Sequence, residues 1–191
     1  MLWTTAEARK DAPLAEAIRL AAYTGARIEG VAQLRVSDIR TDPETQIRFM
    51  RMADKTQAGD RDVPIHPAIE PLIDRLIRNA DTAGYLVQTT AKNKYGERSQ
   101  PMGKRFGRMK TALGYDRRHV FHSIRYTVAG MFQDAGCAEG VAADIVGHLK
   151  PGLTFGLYGG ITAMKLRYAE LVRCIAYPTM ENGESSTADT T

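Results

Sequence analysis

HSIRYTVAGMFQDAG, residues 122–136, is the stretch from which the fold is best predicted. Its apolar spacing predicts a helix from His122 to Ala135, and Gly136 is a typical residue to end it. A spacing of three places His122 and Arg125 on one face of the first helical turn. Since the N-terminus of a helix attracts anions, this turn is a candidate phosphate site. Taken alone, however, such a pair is more often an ordinary surface feature.

Two shorter segments on either side carry polar residues at predicted turns. Upstream, a helix predicted from Asp11 to Gly25 is followed by Arg27 in the sequence TGAR. Downstream, a short helix from Ala138 ends at Gly147-His148, and Tyr158 follows ten residues after the histidine. Each element has an ordinary alternative, a solvated arginine or a tyrosine packed in a turn. No single one of them specifies a function.

The remaining pattern predicts a mainly α domain of the α+β kind with one small antiparallel sheet. Extended patterns at 46–52 and 61–65, joined by a polar segment, predict a β-hairpin. Thr4 with Glu7 resembles a capping box and predicts a helix start at Thr4. Further helices are expected at 28–34, from Pro67 to Ile77, at 102–113 and at 161–175. We expect one domain over residues 1–177 and a disordered, acidic Ser/Thr-rich tail over 178–191.

Composition sets limits on the class of protein. The chain has 191 residues, of which 43% are hydrophobic, enough for one domain with a real core. No run of about 18 apolar residues and no secretory signal is present, so a membrane partner is not expected. Cys137 and Cys174 lie far apart and outside any CxxC pair. They are predicted to be reduced, packed residues of a cytosolic protein, and neither a structural zinc nor another cofactor is predicted.

Positive charge is concentrated in one part of the sequence. The net charge is +4, but residues 92–125 hold ten basic and two acidic side chains. Such a concentration is typical of a binding site for a polyanion. A solvated basic surface has the same composition, so charge alone leaves both interpretations open.

The polar segments contain the residue types that phosphodiester transfer needs. Arginines bind the non-bridging oxygens in pairs of parallel hydrogen bonds, a nucleophile attacks in line, and an acid protonates the leaving oxygen. The ordered set of TGAR, a hairpin lysine, HSIR, GH and Tyr-Gly resembles the active-site signature of the tyrosine recombinase, or phage integrase, family. The flanking segments LRVSDI at 34–39 and DVPI at 62–65 are similar to that family as well. The resemblance extends from about Leu14 to Ile175 and implies that family's helical catalytic domain.

The resemblance implies a role for each residue of the set. Arg27 and Arg125 would clamp the scissile phosphate, and His148 would hydrogen-bond to it. Lys55 would protonate the leaving 5′-oxygen, and His122 would help to activate the tyrosine. Tyr158 would form a 3′-phosphotyrosyl link, so that no metal, ATP or other cofactor is needed. DNA contacts are expected from six basic residues of the charged segment: Lys104, Arg105, Arg108, Lys110, Arg117 and Arg118.

Two features depart from the family pattern. Family members often carry Glu three residues after the first arginine, where this chain has Gly30, with Glu29 one residue earlier. Only 26 residues precede Arg27, too few for the family's N-terminal core-binding domain, which we therefore expect to be absent. A catalytic domain without that second domain would enclose DNA on one side only, so it should bind DNA weakly and with a strong salt dependence. His66 is interpreted as a loop residue and His119 as a surface residue or a DNA contact.

The expected partner is double-stranded DNA, on which the protein would self-associate into a tetrameric synapse. The expected location is the cytoplasm, at the nucleoid, for a bacterial or phage-encoded protein. The helix at 161–175 would contribute to assembly or simply pack on its own core. Two alternatives to recombination remain: type IB topoisomerase-like relaxation and a DNA-binding remnant that does not cut. An ordinary basic helical protein would show no salt-sensitive DNA binding.

Overall fold

The fold is organised around a helix that is buried along most of its length. This helix, α2 (Ala12–Thr24), contains five alanines, whose small side chains let neighbouring backbones approach closely. Its start is fixed by Asp11, whose carboxylate accepts a hydrogen bond from the backbone N–H of Leu14 at 3.2 Å. It ends at Gly25, which has the left-handed φ of 63° that suits glycine. Both boundaries confirm the sequence prediction.

The computed structural model describes residues 1–53, 60–89, 97–148 and 162–178. Within these ranges, eight α-helices accompany one sheet. The helices besides α2 are α1 (Leu2–Ala8), α3 (Ile28–Gln33), α4 (Glu70–Arg78), α5 (Gln100–Ala112), α6 (Ser123–Asp134), α7 (Glu139–Val146) and α8 (Met164–Cys174). Short 3-10 helices cover Val36–Asp38 and Pro67–Ile69. No helix in the described ranges is both long enough and apolar enough to span a membrane.

The sheet has three antiparallel strands in the order β1 (Ile39–Thr41), β2 (Arg48–Met52) and β3 (Arg61–Pro64). The predicted hairpin is therefore present as β2 and β3, with Met50 opposite Val63 in the register. The short strand β1 was not predicted, because three residues are too few for an alternating pattern. The hairpin tip, including Gly59, lies outside the described residues.

Helices α1, α3 and α6 pack against α2, and the sheet contributes to the same hydrophobic core. Fully buried members come from every layer: Ile18 and Leu20 of α2, Met50 of β2 and Phe132 of α6 are at most 1% exposed. Helix α7 packs against β3, α6 and α8. The ends of α2 and α7 and the start of α6 are thereby held in one region of the molecule.

The start of α1 differs from the prediction. The helix begins at Leu2, not at Thr4, and the Thr4 hydroxyl donates back to the carbonyl of Met1 at 2.6 Å. Trp3 packs edge-on against Tyr177, with 5.1 Å between the ring centroids. The Tyr177 hydroxyl donates to the Ala22 carbonyl at 3.0 Å, and burial raises the pKa of Tyr177 to about 12. This aromatic contact with the chain that follows α8 gives the first helical turn a packing partner that local sequence does not show.

Candidate active site

The guanidinium of Arg125 joins three helix termini. It is 2% exposed, although it belongs to the first turn of α6. Nη1 donates to the carbonyls of Gly25 at 2.9 Å and Val146 at 2.5 Å, and Nη2 donates to the carbonyl of Gly147 at 2.8 Å. These acceptors are carbonyls at the C-terminal ends of α2 and α7, which lack partners inside their own helices and carry partial negative charge. A buried cation is thus stabilised by the ends of two helices.

Glycine is required at both of these helix ends. Gly25 and Gly147 have φ values of 63° and 84°, in the left-handed region that other residues avoid. A Cβ atom on Gly147 would lie 2.7 Å from Nη1 of Arg61, closer than packing allows. A Cβ atom on Gly25 would lie 3.3 Å from a methyl group of Val146. The Gly-X-Arg and Gly-His sequences therefore bring two turns close enough together for Arg125 to bridge them.

His148 follows directly after α7 and contacts Arg125. Its Nε2 accepts a hydrogen bond from Nε–H of Arg125 at 3.2 Å. Partial burial, followed by the charges of Arg125, Arg27, Arg61 and His122, lowers the pKa of His148 below the ordinary histidine value of 6.5. The imidazole is therefore neutral at neutral pH, with its proton on Nδ1 because Nε2 is the acceptor. An Nδ1–H group can donate to a phosphate oxygen.

Four of the six predicted active-site residues fall within the described ranges, and they lie close together. The charges that lower the pKa of His148 include those of Arg27, His122 and Arg125. Arg27 is exposed at the N-terminal cap of α3, and His122 caps α6 with its ring edge-on to Tyr126 at 5.2 Å. Lys55 and Tyr158 lie outside the described residues. Their roles stay predictions.

The sequence interpretation missed one cation of this region, Arg61. It is 8% exposed, and its Nε donates to the carbonyl of Ile145 at 2.8 Å. Its guanidinium covers Gly147 and adds positive charge beside His148. A sequence signal did exist, because Arg61, Val63 and Ile65 alternate along the segment 61–65 that was predicted to be extended, and all three are buried. We assign to Arg61 the positioning of the turn that presents His148.

Acidification is expected to destabilise the fold through His148. The unfolded chain binds a proton near the ordinary pKa of 6.5, whereas the folded chain binds it only at lower pH. Between these values the unfolded state holds more protons, so the free energy of unfolding falls as the pH decreases below about 6.5. Urea denaturation should show that the free energy of unfolding decreases less between pH 7.5 and pH 5.5 in His148→Asn than in the unchanged protein.

The matched control is His119→Asn, since His119 is an exposed histidine that hydrogen-bonds to Asp116 at 2.8 Å. This variant should keep the full pH-dependent loss. An equal loss of stability in His148→Asn would contradict the assignment of the effect to His148.

Glu29 connects α3 to the start of the basic helix α5. Its carboxylate accepts from the backbone N–H groups of Arg98 at 3.0 Å and Ser99 at 2.8 Å, and from Nε2 of Gln33 at 2.7 Å. Burial acts against ionisation, but hydrogen bonds from Ser99, Arg98 and Gln33 outweigh it and lower the pKa of Glu29. The glutamate that departs from the family pattern therefore has a structural role of its own. Gly30 faces the carbonyl of Ala53 at the end of β2.

Replacing Glu29 by glutamine is expected to lower the free energy of unfolding by about 2 kcal/mol, because an amide NH₂ would face a backbone N–H group. Urea denaturation at pH 7 measures the effect. The difference in the free energy of unfolding between Glu29→Gln and the unchanged protein should shrink as the pH falls below 4.5. The carboxylate of the folded protein becomes protonated there, at its lowered pKa. Glu44→Gln, at an exposed position, should change stability by less than about 0.5 kcal/mol. Equal effects of the two substitutions would contradict this role.

The six predicted DNA contacts occupy different environments. Lys104 and Arg108 are exposed and line a shallow groove along α5 with Gly107 and Thr111. Arg105 points inward and pairs with Asp11 at 3.2 Å. Lys110, in the last turn of α5, donates to the Asp116 carbonyl at 2.5 Å, and Arg117 and Arg118, after the helix, are exposed. The position of Lys104 and Arg108 on the same face of α5 agrees best with a phosphate-contacting surface.

The two histidines outside the predicted set lie away from this contact network. His66 is buried at the cap of the 3-10 helix Pro67–Ile69, where Nδ1 accepts from the Ala68 N–H at 3.0 Å and the ring packs on Tyr23 at 4.9 Å. His119 is exposed, which agrees with either of the two possibilities left open by the sequence, a plain surface residue or a DNA contact.

The fold is that of the tyrosine recombinase catalytic domain. The catalytic core of lambda integrase is 18% identical, with a TM-score of 0.57 over 77% of this chain and 89% of that one. A lambda integrase tetramer bound to a Holliday junction gives the same identity and TM-score, and the match covers 78% of this chain but 44% of that one. The Tn1549 transposon integrase, in complex with circular intermediate DNA, is 22% identical with a TM-score of 0.53, over 83% and 59% of the two chains.

The chain belongs to the phage integrase family, whose model matches residues 1–161. It is thus a tyrosine-type site-specific recombinase by class. No curated protein matches the sequence significantly. The chain spans about half the length of the two DNA-bound integrases it matches, 44% and 59%.

Proposed function

We propose that this chain cuts and rejoins double-stranded DNA by site-specific transesterification through Tyr158. The observation that carries the proposal is the convergence of Arg27, His122, Arg125 and His148 at the ends of three helices. Arginine forks and an Nδ1–H donor suit the non-bridging oxygens of a phosphodiester. The same charges favour a phenolate next to the phosphate, since an unperturbed phenol has a pKa of about 10.

The reaction would proceed by exchange of one ester bond for another. The Tyr158 oxygen attacks phosphorus, the bond to the 5′-oxygen breaks, and Lys55 supplies the proton to that leaving oxygen. His122 helps to activate the phenol, while Arg27, Arg125 and His148 bind the phosphate. The 3′-phosphotyrosyl link retains the ester bond, so rejoining needs neither ATP nor another energy source. A 5′-hydroxyl of the partner strand reverses the step.

The proposal extends to assembly on DNA and to the residues that contact it. One lambda integrase relative is described as a tetramer on a Holliday junction, and we infer that this chain assembles similarly on DNA in the bacterial cytoplasm. Contacts made mainly to phosphates by Lys104, Arg108, Lys110, Arg117 and Arg118 would make binding strongly salt-dependent. Arg105 would contribute mainly through its pairing with Asp11.

The test is a covalent-capture experiment on a pool of nicked duplexes with randomised sequence. A nick next to the scissile phosphate releases a short fragment and traps the phosphotyrosyl protein, which is isolated under denaturing conditions. Sequencing of the trapped DNA identifies the site, and a supercoiled plasmid carrying it is then assayed. Strand exchange between two such sites supports recombination, whereas relaxation alone supports a topoisomerase. Salt-sensitive binding without an adduct would show a DNA-binding remnant and overturn the proposal.

A further inference from the structure

Two cysteines and a glutamate from distant parts of the sequence come together at the outer end of α8. Cys137 lies in the turn between α6 and α7, Glu170 is in α8, and Cys174 is the last residue of α8. One ligand atom from each, the two sulfurs and a carboxylate oxygen, lies within 4.8 Å of the others. We propose that this cluster binds a thiophilic divalent cation, with Zn²⁺ as the best fit.

The chemistry of the ligands supports zinc. Two thiolates and a carboxylate are ligands that Zn²⁺ accepts in tetrahedral sites, with water as a fourth. At a Zn–S distance of about 2.3 Å, ligand atoms lie roughly 3.7 Å apart. The Cys174 sulfur is already 3.7 Å from Oε2 of Glu170. Side-chain rotations that move the Cys137 sulfur inward by about an ångström would complete the set.

The surroundings of the cluster orient the carboxylate and balance the charge. Arg173 donates to Glu170 from Nε at 3.3 Å and from Nη2 at 2.5 Å, and Nη1 donates to the Ala135 carbonyl at 2.8 Å. An arginine that fixes a ligating carboxylate is typical of the outer ligand environment in metal sites. Two thiolates and one carboxylate around a dication leave one negative charge, which Arg173 neutralises.

The cluster is also accessible, and its occupation has a structural consequence. Cys137 is half-buried and lines a groove of about 430 Å³ between α6 and α7 that reaches His148 at its other end. A cation can enter through this groove. Because Glu170 and Cys174 are four residues apart in α8, a bound ion would fasten that helix to the α6–α7 turn. The proposal does not depend on DNA cleavage.

The experiment is a Co²⁺ titration of the reduced, chelator-treated full chain, followed by displacement with Zn²⁺. Thiolate-to-cobalt charge-transfer absorption should appear and saturate at one ion per chain. Cys174→Ser and Cys137→Ser should each abolish the saturable band or reduce it by at least half. Glu139→Gln, an exposed carboxylate on the same groove, should leave the band unchanged. Zinc at about 100 times its Kd should raise the Tm by about 5 °C only where both cysteines are present.

The absence of a charge-transfer band in the folded protein, or a saturable band that keeps more than half its intensity in either serine variant, would overturn the proposal. A Glu170→Gln variant guards against misfolding, because it keeps both sulfurs and should bind Co²⁺ at least about tenfold more weakly. Formation of a Cys137–Cys174 disulfide on mild oxidation, without metal binding by the reduced form, would identify a redox pair and would also overturn the zinc site.

Discussion

Substitution of Arg125 by lysine is expected to slow formation of the DNA adduct by about 10³-fold and to lower the free energy of unfolding by about 3 kcal/mol. Arg125 makes hydrogen bonds from three separate nitrogens, Nε, Nη1 and Nη2. A lysine has all its donors on one nitrogen and cannot reproduce this geometry. At least two of the carbonyl groups at Gly25, Val146 and Gly147 would lose their partner while staying buried.

Two measurements separate the effects of the substitution. Urea denaturation gives the change in stability, and the covalent-capture assay, run where the variant is still fully folded, gives the change in rate. Arg78→Lys is the matched control, since Arg78 is exposed at the end of α4 and should change stability by less than about 0.5 kcal/mol. If Arg125→Lys were as stable and as active as this control, the helix-end geometry would have no role beyond positive charge.

Most of the fold could be predicted because its helices carry local signals. Asp11 and Gly25 predicted the bounds of α2, and Gly147 predicted the end of α7, since caps and positive φ depend on neighbouring residues. The start of α1 was predicted incorrectly, because Trp3 packs on Tyr177 from the other end of the domain. Strand β1 depends on its pairing with β2, which no local pattern shows.

The charge count from the sequence overestimated the basic surface. Eight of the ten basic residues in 92–125 are in described ranges, and three of them are turned inward. Arg98 is 8% exposed, donates to the Ala32 carbonyl at 3.0 Å and stacks on the Tyr85 ring at 3.5 Å. Arg105 pairs with Asp11, and Arg125 is part of the site. Sequence composition counts charges but does not show which of them are buried.

In the candidate site, too, features that depend on neighbouring residues were predicted, and features that depend on contacts distant in the sequence were not. The motifs at Arg27, His122, Arg125 and His148 were found from their order along the chain, and the structure brings these residues together. Arg61 was missed because its importance depends on β3 lying against α7. Cys137 and Cys174 lie far apart in the sequence and were predicted only as reduced, packed residues, yet their sulfurs lie within 4.8 Å, because α8 folds back onto the α6–α7 turn.

Tyr158→Phe is expected to abolish the covalent adduct, with a loss of at least about 10⁴-fold, while DNA binding changes by less than about twofold. The substitution removes one oxygen atom, the proposed nucleophile, and keeps the ring and every cationic group that would bind phosphate. Covalent capture measures the adduct, and salt-dependent binding to the same duplex measures the affinity. Reduced binding in parallel with reduced cleavage would indicate a folding or binding defect instead of a missing nucleophile.

A second tyrosine makes this test specific. Tyr126 is 69% exposed, and its ring lies 5.2 Å from that of His122, beside the proposed phosphate site. Its hydroxyl is therefore the strongest rival nucleophile in the described part of the chain. Tyr126→Phe should form the adduct at close to the normal rate. The reverse pattern would be an adduct in Tyr158→Phe and none in Tyr126→Phe. It would assign the nucleophile to Tyr126 of α6 instead of Tyr158. Arg27 and His148 would then have to bind the phosphate on the side of the site that faces α6.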